Sequence, residues 1–91
     1  QMYSLDEWVE RNDIQKIDFI KADIEGAERL LLDGAKKVLK EFKPKLALCT
    51  YHLPDDKEVL EQLISESCND YVIAHYAGKI FAYAKDKQRL M

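Results

Sequence analysis

The sequence predicts an α/β protein, part of a doubly wound sheet in which two parallel strands alternate with helices and an antiparallel hairpin closes the chain. Three observations predict it. Apolar positions switch between strand-like runs and helical spacing twice before residue 68. The first strand-like run, residues 16–22, carries Ile17, Phe19 and Ile20 on both of its faces, as a parallel strand covered on two sides would. Two β-rich runs, residues 71–76 and 79–84, are separated only by Ala77-Gly78, the spacing of a tight hairpin. Strands joined through helices imply right-handed crossovers and a parallel pairing.

The elements follow in order. Ser4-Leu5-Asp6-Glu7 is a capping box, with Tyr3 and Trp8 at the staple positions, so a short helix is expected through Arg11. Asn12-Asp13 stops it. After the strand at 16–22, Ala27, Leu30, Leu31, Ala35, Val38, Leu39 and Phe42 recur at helical spacing. Gly34 lies inside this stretch, where a mid-helix glycine costs about 1 kcal/mol, so a kink or two short helices are expected. Lys43-Pro44 ends the segment, because a residue before proline avoids helical geometry. Residues 45–51 read as a second strand. Pro54-Asp55-Asp56 opens a third helical segment striped by Val59, Leu60, Leu63 and Ile64, and Cys68-Asn69-Asp70 turns into the hairpin. Tyr71, Tyr76, Phe81 and Tyr83 are expected as cross-strand pairs there. The inward positions of these periods give a core of Trp8, Phe19, Leu31, Val38, Leu46, Leu48, Leu60, Leu63, Ile73 and Phe81.

With 91 residues the chain holds one small domain, residues 1–91, without room for a separate cofactor domain. It opens on Gln1 and enters a helix almost at once, as a segment of something longer would, or a chain whose first residue is left from cloning. A net charge of −3 and the absence of a basic cluster argue against nucleic acid and anionic membrane as partners. No apolar run approaches a membrane span, and no secretory leader is recognisable. Cys49 and Cys68 fit no metal spacing or disulfide framework, so a reducing, cytoplasmic setting is expected.

In open α/β sheets, ligands sit beyond the carboxyl ends of the strands. The first strand ends at Asp23, Glu25 and Gly26, and the second at Tyr51 and His52. If the strands are neighbours, these residues share one rim. The blander account is equally physical, and from spacing alone it is the commoner one. Asp23, Glu25 and Glu28 in the first turn of a helix would complement its dipole, and Gly26 would serve a sharp turn. His75 inside a strand reads as structural or as a surface residue, and Cys49 as a small buried apolar one. Asp23, Glu25 and His52 are too few to predict a metal site, and the three glycines build no glycine-rich phosphate cradle.

The order of motifs resembles the later part of FkbM-type methyltransferases. Ser4-Leu5-Asp6 matches an "S/T-L-D" helix start. Lys21, Asp23, Glu25, Gly26, Ala27 and Glu28 match "K-x-D-x-E-G-A-E", the most specific element. Leu32, Gly34 and Ala35 match "L-x-G-A", and Lys43, Pro44, Tyr51 and His52 match a "K-P" step before a strand ending in Tyr-His. The resemblance implies the C-terminal half of a Rossmann-like methyltransferase sheet, the fourth to seventh of its strands. It implies S-adenosylmethionine as cofactor of the intact family and methyl transfer to a hydroxyl of a sugar or small natural product. Asp23, Glu25 and His52 become candidate catalytic or acceptor-positioning residues, and Asp23 and Gly26 candidate cofactor contacts. The family's first half, with its glycine-rich loop, has no counterpart in these residues, so the chain alone is expected to bind no cofactor and to be inactive. The alternative is a non-catalytic α/β module. In either case the strand at 16–22 would have one edge without its family neighbour, and a homodimer through that edge is expected.

Overall fold

The computed structural model describes residues 3–51 and 53–85. Its elements are α1 (Leu5–Arg11), β1 (Phe19–Ala22), α2 (Glu28–Asp33), α3 (Lys36–Phe42), β2 (Lys45–Cys49), α4 (Asp56–Ser67), β3 (Tyr71–Tyr76) and β4 (Lys79–Ala84). They form one four-stranded sheet in the order β1-β2-β4-β3. β1 and β2 are parallel, with Phe19 opposite Lys45 and Ala22 opposite Leu48. β4 is antiparallel to both β2 and β3. The expected α/β class holds, with the hairpin added beside β2.

Local chemistry explains the boundaries. The capping box forms: Ser4 N–H donates to Glu7 Oε1 at 3.0 Å and Glu7 N–H donates to Ser4 Oγ at 3.1 Å. The break between α2 and α3 falls at Gly34 and Ala35. The φ of Gly34 is −92°, which any residue adopts, so space is what demands glycine. A Cβ there would stand 2.7 Å from Ser4 Cβ. Asp6 N–H donates to the Gly34 carbonyl at 2.8 Å. The Asp6 carboxylate accepts from Lys37 N–H at 3.1 Å and Val38 N–H at 2.9 Å, satisfying donors that open α3. The "S-L-D" and "G-A" steps are thus two halves of one joint that seats α1 on the α2–α3 break. Lys43 ends α3 in left-handed geometry and its ammonium donates to Asp70 at 2.9 Å. Ala77 and Gly78, with φ of 51° and 73°, make the hairpin turn.

The core lies between one face of the sheet and three helices. Leu46, Leu48, Ile80, Ala82 and Ala84 face Leu32, Leu39, Leu60 and Ile64 from α2, α3 and α4. The other face is uncovered among the described residues, and three expectations fail for that reason. Phe19 is 57% exposed and Phe81 43%, because they point away from the helices on strands whose burial alternates. The apolar residues on both faces of β1 therefore do not have cover on both sides. Trp8, 45% exposed, also lies outside the core, on a helix with no buried residue. Val38, Leu46, Leu48 and Leu60 are buried as expected, while Leu31, Leu63 and Ile73 are only partly so. Leu32 takes the fully buried place assigned to Leu31. β1 is shorter than residues 16–22, and β2 ends two residues before Tyr51. The hairpin aromatics do not oppose one another. Tyr71 faces Ala84, Tyr76 faces Lys79, Phe81 faces Ala74 and Tyr83 faces Val72. Tyr71 instead donates its hydroxyl to the Pro44 carbonyl at 2.6 Å, and burial pushes its phenol far above the usual range. His75 is a surface residue whose Nε2 lies 2.6 Å from Glu61 of α4.

Candidate active site

β1 runs out at Ala22, and the next residue, Asp23, is exposed at the carboxyl end of the strand. Glu25 and Gly26 follow with φ of 54° and 97°, two successive left-handed residues that reverse the chain. Gly26 suits that conformation without strain, whereas Glu25 adopts it at a cost. Glu28 explains how the turn holds. Its side chain is completely buried, and its carboxylate accepts from Ile24 N–H at 2.9 Å and Gly26 N–H at 3.0 Å. Four residues of "D-x-E-G-A-E" therefore divide the work: Asp23 is presented, Glu25 and Gly26 turn, and Glu28 braces.

The neighbouring strand supplies the other side. β2 ends at Cys49, and Thr50 N–H donates to the Gly78 carbonyl at 2.8 Å, tying this strand end to the hairpin. A Cβ on Gly78 would lie 3.3 Å from the Tyr51 ring, so the turn closes against that ring. The Tyr51 hydroxyl reaches back to Asp23, at 3.4 Å and 3.5 Å from the two carboxylate oxygens, a long hydrogen bond. The Asp23 charge pushes the Tyr51 phenol above its ordinary value, which keeps it a donor. Burial, and then Asp23, push the Cys49 thiol up, so it stays protonated and inert.

Below this rim a cleft of about 370 Å³ opens on the uncovered face of the sheet. Asp23, Lys21, Cys49 and Lys79 line it together with the rings of Phe19 and Phe81. A second hollow of about 340 Å³, between α1 and α3, involves Asp6, already committed to capping. Of the candidate residues, the fold brings Asp23 to the cleft and places Glu25 and Gly26 in the turn just beyond it. His52 lies outside the described residues. Among the described residues, no group of three His, Cys, Asp or Glu side chains is placed to hold a metal ion. None of their helices is long and apolar enough to cross a membrane.

Two features escape sequence reasoning. One is Tyr51, noted only as a strand-end residue, whose hydroxyl reaches Asp23. The other is a clamp between α2 and the start of α4. Arg29 Nε donates to the buried Asp56 at 3.1 Å, and a second guanidinium nitrogen is paired with Asp55. The Asp55 pair holds its carboxyl below the usual range. No local signal links residues so far apart in sequence.

A family profile described as "Methyltransferase FkbM domain" matches residues 1–82. The chain belongs to the FkbM methyltransferase family. A crystal structure of methyltransferase FkbM from Methylobacillus flagellatus KT is similar to it at 34% sequence identity and a TM-score of 0.63. That match covers 79% of this chain and 21% of the solved one, so the chain spans about a fifth of the protein it resembles. The search of curated proteins finds no match. Membership in this FkbM family accounts for the parallel pair and appended hairpin as a fragment of a methyltransferase fold.

Proposed function

We propose that this chain supplies the acceptor-side wall of an S-adenosylmethionine-dependent O-methyltransferase acting on a hydroxyl of a sugar or small natural product. The observation that carries the reading is Asp23 at the end of a parallel strand, facing a cleft with the Tyr51 hydroxyl beside it. A carboxylate there accepts the proton that a hydroxyl loses as its oxygen is methylated. Tyr51, held as a donor, orients that carboxylate. Glu25 on the exposed turn and His52 are the further acceptor contacts in this proposal, and Gly26 lets the chain pass close to a bound cofactor. S-adenosylmethionine, when bound, supplies the electrophilic methyl group. The glycines here do not build its nucleoside cradle: Gly26 reverses the chain, Gly34 makes room for Ser4 and Gly78 turns the hairpin. The rest of the cofactor site is accordingly assigned to other residues of the domain, and the free cysteines fit a cytoplasmic enzyme. The test supplies labelled S-adenosylmethionine and a panel of sugars and small polyols to the longest natural polypeptide carrying these residues. Mass spectrometry should find the methyl group on an oxygen. Label only on nitrogen or carbon, or in no product at all, rejects the reading.

The outer side of β1 supports a second reading, a self-associating module. β1 ends the strand order, and among the described residues nothing pairs with its outer edge. Such an edge is a template for another strand. We propose a two-fold antiparallel dimer through it. Sedimentation of the 91-residue chain should show a concentration-dependent dimer. Phe19→Pro should abolish it, and a monomer at every concentration would reject it.

A further inference from the structure

Lys21 and Lys79 have no part in the chemistry described so far. In the β1–β2 register Lys21 lies opposite Ala47, and in the β2–β4 register Lys79 lies opposite Cys49. The two lysines thus flank β2, and both line the cleft beneath Asp23. Three lysines have local carboxylates: Lys16 with Asp18 at 3.7 Å, Lys36 with Asp33 at 3.5 Å and Lys43 with Asp70 at 2.9 Å. Lys21 and Lys79 share the lack of such a bridge with Lys37, Lys40, Lys45 and Lys57 among the described residues, but these two are the lysines that line the cleft. The cleft is lined by two lysines and one aspartate, within a chain of net charge −3. Between the lysines its floor is apolar: Ala47 in the middle, with the exposed rings of Phe19 and Phe81.

This pattern selects a ligand chemistry. An aromatic floor accepts the flat apolar side of a ring. Two lysines beside that floor favour an anionic substituent, and as compact point charges their ammonium groups serve carboxylate or phosphate alike. Asp23 at the rim repels a second anion and accepts from a hydroxyl.

We propose that the methyl acceptor is an anionic ring compound, a hydroxylated ring bearing one carboxylate or phosphate that Lys21 and Lys79 hold while its hydroxyl meets Asp23. This rests on the methyltransferase reading. Lys21 and Lys79 are then specificity-determining residues, and the charge at one end of the acceptor fixes which hydroxyl is presented.

The experiment is an NMR titration of the 91-residue chain at low salt with glucuronate, glucose phosphate and glucose as probes. At least one of the two anions should bind about tenfold more tightly than glucose, as two near-surface charge contacts would give. The amide shifts should centre on Lys21, Ala47 and Lys79. The stronger of the two anions tells carboxylate from phosphate, and either supports the proposal. The double variant Lys21→Met, Lys79→Met should lose the preference while keeping a dispersed spectrum. Lys57→Met, on exposed α4 surface, should keep it. Equal binding of all three probes, no binding of any, or a preference that survives the double variant overturns the proposal. No methyl donor is present, so failure here leaves the methyltransferase reading standing, and failed methyl transfer would not alter the charge preference.

Discussion

Replacing Glu28 by alanine should destabilise the chain by about 2–5 kcal/mol, because it removes a fully buried carboxylate that satisfies two backbone donors. Ile24 and Gly26 would keep their N–H groups in a partly exposed turn with only water to accept from them. A buried donor left unsatisfied costs about 1–3 kcal/mol, these part-buried ones less, and the vacated volume of the fully buried Glu28 side chain adds to that. Domains have only about 5–15 kcal/mol in total, so the variant should unfold at much lower urea. Glu28→Gln separates the contributions. Its amide oxygen serves one N–H, while its amide nitrogen sets a donor against the other. It should therefore fall between the parent and alanine. Urea titration followed by circular dichroism measures all three. A change for alanine within about 0.5 kcal/mol, the range of ordinary surface sites, would mean that the turn holds without its brace. The effect also reaches the site, since this turn fixes where Asp23 stands.

Glu28 also shows what a sequence discloses and what it withholds. Spacing places three acids around Gly26 at the end of a strand, and the need for a turn follows from the glycine. The reading as helix-dipole acids holds in part for Glu28, the first residue of α2, but it misses the burial and the two bonds. Those depend on the direction of the chain after Glu25, a tertiary matter. Gly34 is similar. Its cost within a helix announces the break, but the reason for glycine is the Cβ of Ser4, thirty positions earlier. The hairpin is legible almost to the residue because its signals are local: two β-rich runs and a two-residue turn that accepts positive φ.

Phe19, Phe81 and Trp8 fail for a different reason. Periodicity says which residues share a face of a strand or helix, never whether another layer covers that face. Both faces of β1 are apolar in part, but among the described residues the helices pack on one. At the site, sequence reasoning put Asp23 and Tyr51 at adjacent strand ends. It missed that Tyr51 turns back onto Asp23, since that depends on Tyr51 packing against Gly78. Arg29 was invisible for the same cause: its partners Asp55 and Asp56 come close only through the packing of α2 on α4.

Asp23→Asn should lower the kcat of methyl transfer about 10²–10⁴-fold in the longest natural polypeptide carrying these residues, the span general-base removal usually covers. Asparagine has nearly the same shape and keeps an oxygen to accept from the Tyr51 hydroxyl, so the fold should survive. What it loses is the capacity to take a proton from the acceptor. The loss should appear in kcat and kcat/KM together, with little change in KM, as for an interaction made only in the transition state. A second readout is independent of turnover. The charge of Asp23 is the largest influence raising the Tyr51 phenol, so in the asparagine variant that phenol should titrate at lower pH. If the phenol moves and the rate does not, Asp23 shapes the local field without acting as the base. Glu25→Gln then decides between the two acids. A collapse in rate there, with Asp23→Asn near normal, would assign the proton transfer to the exposed turn. If both variants kept normal rates, the acids around Gly26 would be helix-start charges and nothing more, and the base would have to be sought outside this stretch of chain.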